Sequence, residues 1–155
     1  MIAPQVTRWA DITVGVARPD QYAAVRALIV DGLMQRWGAY ESSFNPDLEA
    51  FGSVYGSALV LVAMIDAQVV GCGILVREGP DVARIVRMSV TSAHQRNGIG
   101  SKVLGVLLEQ AASRGYKEVV LETSAAWSSA VAFYASRGFE RMDEKDGDQH
   151  FRLLL

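Results

Sequence analysis

A chain of 155 residues, half of them hydrophobic, has the length at which one domain around one core is the expectation. Lys and Arg number 15 against 17 Asp and Glu, a formal net charge of -2. That leaves no positive surplus to neutralise a phosphate backbone or to draw the protein to an anionic membrane, and it argues against a nucleic-acid partner. The start, MIAPQVTRWADITV, lacks the basic and apolar regions of a signal peptide, and no apolar run nears the roughly 18 residues of a membrane span, so no membrane partner and a cytoplasmic location are expected. The single cysteine, Cys72 in VVGCGILV, has no partner for a disulfide or a CxxC site and reads as a buried strand residue.

In chain order, TVGVARPD reads as a short strand ending at a proline turn. Tyr22, Val25, Ile29 and Leu33 then recur at helical spacing. MQRWGAYESSFNPDLEAF is rich in turn formers and aromatics, with Asn45-Pro46-Asp47 as the expected start of a second short helix. Three β-rich runs come next, SALVLVAMI, QVVGCGILVRE and VARIVRMSV, separated by Asp66-Ala67 and by Glu78-Gly79-Pro80-Asp81. Turns this short join antiparallel neighbours, so the three form a meander. Val103, Leu104, Leu107, Leu108 and Ala111 share one face of the next helix, which Arg114-Gly115 closes. YKEVVLET is a strand, WSSAVAFYAS a helix closed by Arg137-Gly138, and FERMDEK with QHFRLLL a hairpin across Asp146-Gly147-Asp148. The predicted order is β α α β β β α β α β β, and the helix joining VARIVRMSV to YKEVVLET makes a βαβ crossover with parallel strands.

The junction HQRNGIGS lies where the third meander strand runs into that helix. Backbone N–H groups left without partners at the positive end of a helix dipole suit an anion, phosphate above all. Gly98 and Gly100 let the backbone approach it, Arg96 can add charge-assisted hydrogen bonds, and Ser101 can add a hydroxyl. A P-loop is excluded because no G-x-x-x-x-G-K-[ST] occurs. The dinucleotide fingerprint has Val103 at its third glycine position, and although Glu122 comes at about the right interval, a motif placed after an antiparallel meander with a single crossover does not fit that fold. From these residues alone the loop is an anion cradle in an α/β domain, or a glycine turn with nothing bound.

RMSVTSAHQRNGIGSKVL, followed by VVLETSAAWSSAVAFYASRGF, resembles the GCN5-related N-acetyltransferase superfamily. Gln95, Gly98 and Gly100 meet its Gln/Arg-x-x-Gly-x-Gly/Ala loop, and the spacing to a helix bearing Ala130, Phe133 and Tyr134 and closing in Gly138-Phe139 strengthens the match. The resemblance covers most of the chain. It implies a mixed α/β sheet, with an antiparallel meander, a βαβ crossover whose parallel strands splay, and a C-terminal hairpin, in one domain spanning 1–155. It also implies acetyl-CoA as acetyl donor, with the pyrophosphate on the backbone of Arg96, Asn97, Gly98, Ile99, Gly100 and Ser101, and the pantetheine arm on the main chain of Met88, Ser89 and Val90.

Transfer of acetyl to an amine needs three things: a base for the ammonium proton, a donor for the developing oxyanion, and an acid for the departing thiolate. The resemblance offers the Val90 amide as that donor, Tyr134 as the acid and Glu122 as the base, twelve residues before Tyr134. The plainer readings are a packed tyrosine and a strand-end glutamate paired with a nearby arginine. An ordered water is the alternative base. Trp127 stands where many family members carry an Asn that reaches the cofactor or a backbone group, and the resemblance counts it with Tyr134 among the cofactor-binding candidates; with one N–H donor and no acceptor it cannot copy an amide, so the contact is lost, or Trp127 lines the acceptor pocket, or it covers the sheet edge. His94 is expected in solvent; His150 could face cleft or water; two lone histidines make no metal site. Trp37, Tyr40, Glu41 and Phe44 are candidate acceptor-lining residues, or aromatic anchors of a surface loop. The expected reaction is direct transfer to a primary amine, a small molecule before a protein N-terminus or lysine, with a non-catalytic CoA-binding module as the third reading and a homodimer left open.

Overall fold

The computed structural model describes residues 6–155. The first five residues of the stretch read for a signal peptide lie outside them. The elements are β1 (Thr7–Trp9), β2 (Ile12–Val16), α1 (Tyr22–Trp37), α2 (Pro46–Glu49), α3 (Phe51–Tyr55), β3 (Leu59–Ile65), β4 (Gln68–Arg77), β5 (Val82–Val90), α4 (Ile99–Ser113), β6 (Glu118–Ser124), α5 (Ser128–Ser136), β7 (Glu140–Lys145) and β8 (Asp148–Leu154). They agree with the sequence reading except that β1 and α3 were not expected. The strands form one sheet in the order β1-β2-β3-β4-β5-β6-β8-β7. By packing, the chain divides into two compact units, Met1–Ile74 with Arg87–Leu107, and Leu75–Val86 with Leu108–Leu155.

In the first unit, α1 buries Val25, Leu28 and Ile29 and stops at Gly38, whose left-handed φ of 79° lets its N–H reach the Met34 carbonyl at 2.7 Å. β1 and β2 pair antiparallel, as do β2 and β3. All of Leu59–Ala63 is buried, which accounts for an unbroken apolar run where alternation would mark a strand with one wet face. β4 carries the same signature, with Cys72 fully buried and its thiol pushed by burial up to about 12, beyond the reach of thiolate chemistry at neutral pH. Gly71 and Gly73 share one face of β4, and a Cβ at either would come within 2.8 Å of Ile99 Cγ2 or Leu107 Cδ1. Two missing side chains thus let the first turns of α4 lie directly on the strand.

In the second unit, β5 and β6 pair in parallel, as the crossover requires, but only through Val82–Arg84 against Glu118–Val120, although β6 runs on to Ser124. β6 pairs antiparallel with β8 along its whole length, and β8 with β7. Val119, Leu121, Gln149 and Phe151 are buried, while the alternate residues face the other way. The hairpin turn is shorter than expected: Lys145 already pairs with Asp148, so the loop is Asp146-Gly147, both at positive φ (53° and 83°), the turn that matches strand twist. Every residue of β7 is exposed, and its charges protect the sheet edge.

Candidate active site

The glycine junction is built from the end of β5 and the start of α4. Thr91 anchors the strand end by donating its N–H to the Val70 carbonyl at 2.9 Å. Ser92–His94 form a single 3-10 turn. Arg96 and Gly98 then take positive φ values, 70° and 77°, reversing the chain so that α4 starts at Ile99. The first bond along its axis is the Lys102 N–H to the Gly98 carbonyl at 3.1 Å, and the amides before it point out of the helix end. Gly100 already lies inside the helix, so of the two glycines it is Gly98 that supplies the unusual backbone. A Cβ at Gly98 would sit 3.2 Å from the Lys102 ammonium, so the space over that residue is open only because glycine fills the position. An open, cationic, amide-lined helix start fits a diphosphate.

Gln95 acts differently from its neighbours: its Nε2 donates to the Val90 carbonyl at 3.2 Å, tying the loop to the strand end. His94 is half-buried, not free in solvent as expected, with Nδ1 2.8 Å from the Thr91 hydroxyl. Lys102 escaped the sequence reading. Its ammonium lies 5.5 Å from the centre of the Trp9 ring, a cation–π contact from β1, and curls back over the loop as helix side chains lean toward their N-terminus. No local pattern announces this pair, because Trp9 is brought by a strand too short to read.

Met88, Ser89 and Val90 end β5. Met88 Cγ packs 3.2 Å from the Cβ position of Gly73, whereas the Ser89 hydroxyl points at α1, 3.5 Å from the Leu28 carbonyl. With both side chains used in packing, the main chain is what this segment has to offer.

The remaining candidates belong to the second unit. Tyr134 is buried on α5 amid aromatic rings, with centroids 5.2 Å from Phe133, 5.8 Å from Phe139 and 5.8 Å from Phe151. Trp127 is half-buried at the residue before α5, its carbonyl accepting the Val131 N–H at 3.0 Å. Glu122 ion-pairs with Arg84, which also holds Glu78 through bonds of 2.9 and 3.1 Å. The arginine partner foreseen for a strand-end glutamate is therefore present. Directly across the ladder from Glu122 stands His150, which places the two side chains on one face of the β6–β8 pair. Phe151, which Tyr134 touches, points to the other face.

Of the acceptor-lining candidates, Trp37 and Phe44 are 59 % and 82 % exposed. Tyr40 donates to Glu49 Oε2 at 2.7 Å, the same oxygen that Arg26 Nη2 reaches at 2.6 Å, and Glu41 accepts from the Ser43 hydroxyl at 2.8 Å. Beside them, and unread from sequence, Arg87 pairs with Asp47 at 2.7 Å and Tyr55 donates to Asp47 at 2.5 Å. Among the described residues no group of three or more His, Cys, Asp or Glu could hold a metal ion, and no helix is long and apolar enough to cross a membrane.

A sequence model described as the acetyltransferase (GNAT) family matches residues 23–139. The rat protein N-acetyltransferase family 8 member 2 is 33 % identical over 99 residues, 61 % of this chain and 41 % of its own. The chain spans less than half the length of the curated relatives it matches. A GNAT-family acetyltransferase from Staphylococcus aureus Mu50 superposes with a TM-score of 0.83 at 18 % identity, covering 93 % of this chain and 99 % of that one. The PaiA N-acetyltransferase of Thermoplasma acidophilum, solved in complex with coenzyme A, gives 0.81 at 16 % identity, covering 94 % and 100 %. The family match over more than half of its length, on a fold shared with these structures, makes the chain a member of the acetyltransferase (GNAT) family.

Proposed function

We propose that this chain is an N-acetyltransferase that moves acetyl from acetyl-CoA to a primary amine by direct attack, with a small molecule as the favoured acceptor. The observation that carries the reading is the start of α4: left-handed Arg96 and Gly98, the helix amides, and the Lys102 ammonium above Gly98, in a chain of this family. The backbone from Arg96 to Ser101 cradles the diphosphate, and Arg96 and Lys102 add charge. Gln95 holds the loop to the strand end. Acetyl-CoA, when bound, supplies a thioester carbonyl open to an amine. The Val90 amide donates to the carbonyl oxygen as it gains charge. Tyr134 holds at its hydroxyl the proton that the departing sulfur takes, and Trp127 lies at the start of the same helix.

Glu122 takes the ammonium proton in this reading. Its place on β6 beyond Val120, where the ladder with β5 has ended and β6 runs on to Ser124, supports this role. Trp37 and Phe44 offer aromatic surface to the acceptor. A reducing compartment such as the cytoplasm suits the one free, buried cysteine.

Release of free CoA over a panel of amino acids, aminoglycosides, polyamines and peptides tests this directly. Turnover with a small amine and about a 10²-fold lower kcat in Tyr134→Phe, with acetyl-CoA still bound, is the expected result. Turnover with peptides alone would move the acceptor to proteins. Acetyl-CoA binding without release over the whole panel would leave a non-catalytic binding module.

A further inference from the structure

Arg87 lies within β5, yet its φ is 56°. A left-handed non-glycine residue inside a strand persists only where its surroundings hold it there. The holder is visible. Arg87 Nε donates to Asp47 Oδ2 at 2.9 Å and Nη2 to Asp47 Oδ1 at 2.7 Å, a two-pronged pair, and Nη2 also reaches Asn45 Oδ1 at 3.1 Å. Tyr55 donates to the same Asp47 Oδ2 at 2.5 Å, and the Cys72 thiol donates to the Arg87 carbonyl at 3.4 Å. The two charged side chains are 22 % and 21 % exposed, so the pair is largely shielded from competing water.

A left-handed residue resets the alternation of a strand and re-aims the residues beyond it. Here those residues are Met88, Ser89 and Val90. Asn45 and Asp47, for their part, begin α2, directly after the segment carrying Trp37, Tyr40 and Phe44. We infer that Asp47 and Arg87 are positioning residues for acyl transfer. By holding Arg87 left-handed, the pair fixes where the main-chain groups of Met88–Val90 point, and it couples the acceptor-side segment to the donor-side strand end. The inference rests on the reading of Met88–Val90 as the strand end that receives the donor. Neither side chain touches a reacting atom; both act through the backbone.

The test uses Asp47→Asn, the double variant Arg87→Gly with Asp47→Ala, and the charge swap Asp47→Arg with Arg87→Asp. Glycine accepts the positive φ and the double variant leaves no unpaired charge, so a fold that survives without the clamp can be measured. Because the phosphates hold the cofactor and the strand end sets the thioester, Asp47→Asn and the double variant should lower kcat by about tenfold or more, with the Kd for acetyl-CoA within about twofold by calorimetry. In the ligand-free protein, amide exchange at Met88–Val90 should quicken by about tenfold while the α1 amides keep their rates. The charge swap should recover part of the kcat, since aspartate tolerates the left-handed region. Unchanged kcat and unchanged exchange at Met88–Val90 would overturn the inference, as would uniform acceleration of all amides with a lowered Tm, which marks a contact serving stability alone. The exchange measurement decides the clamp even if wild type shows no acetyl-CoA binding, a result that would count against the proposed function.

Discussion

Arg84 and Arg87 stand three residues apart on β5, are about equally exposed, and are both paired with carboxylates, yet they live under different rules. Arg84 is extended, lies in the ladder with β6, and shares two surface glutamates, Glu78 at 44 % and Glu122 at 34 % side-chain exposure. Arg87 is left-handed and meets one shielded aspartate two-pronged, with Asn45 and Tyr55 completing the shell. An open pair can be broken by water at little cost. A closed one that also holds an unfavourable backbone, at about 1–2 kcal/mol, cannot.

The largest way to press the contrast is catalytic. Glu122→Gln is expected to lower kcat by about 10²-fold and flatten the acidic limb of the pH–rate profile, while stability falls by less than about 1 kcal/mol. An unaltered profile would return Glu122 to the role of a surface partner for Arg84 and hand the proton to an ordered water. Next in size is stability. Removing Arg87 with alanine leaves Asp47 unpaired and should cost about 2–3 kcal/mol in urea unfolding, discounted from fully buried pairs because both groups keep some exposure. Arg84→Ala should cost about 1 kcal/mol or less. Equal losses would erase the distinction.

Smaller still is the response to acid. Burial pushes the Asp47 carboxyl up, but hydrogen bonds from Arg87 and Tyr55 and the Arg87 charge outweigh it and hold the group below the ordinary carboxylate value. A carboxyl so lowered stabilises the fold above its unfolded pKa and loses that contribution as pH falls through the folded value. The stability gap between wild type and Asp47→Asn should therefore narrow on acidification below about pH 4 and stay flat from there to neutrality.

Much of this was legible in the chain. The meander, the crossover, the glycine loop and the C-terminal hairpin arise from periodicity and turn chemistry, which are local. β1 escaped because three residues, Thr7–Trp9, cannot show alternation, and α3 because Phe51–Tyr55 lies in a stretch crowded with turn formers. The arginine beside Glu122 was foreseeable, since parallel pairing of β5 with β6 sets Arg84 beside Val120. The Arg87–Asp47 pair was not. Forty residues separate the partners, and nothing in either neighbourhood encodes a meeting that only the folded chain arranges. Lys102 over Trp9 failed for the same reason.

The bare face of β4 has a consequence for how mutations in this protein should be interpreted. Gly71 would clash with Ile99, the first residue of α4, at 2.8 Å if it carried even a methyl group. Ile99 would have to retreat, and the mouth of the helix would move with it. A saturation screen for donor affinity should then score Gly71 among the most sensitive positions, although it lies on the strand beneath the helix and outside the loop proposed to meet the donor. Sensitivity in such a map traces the support of the cradle as much as its surface.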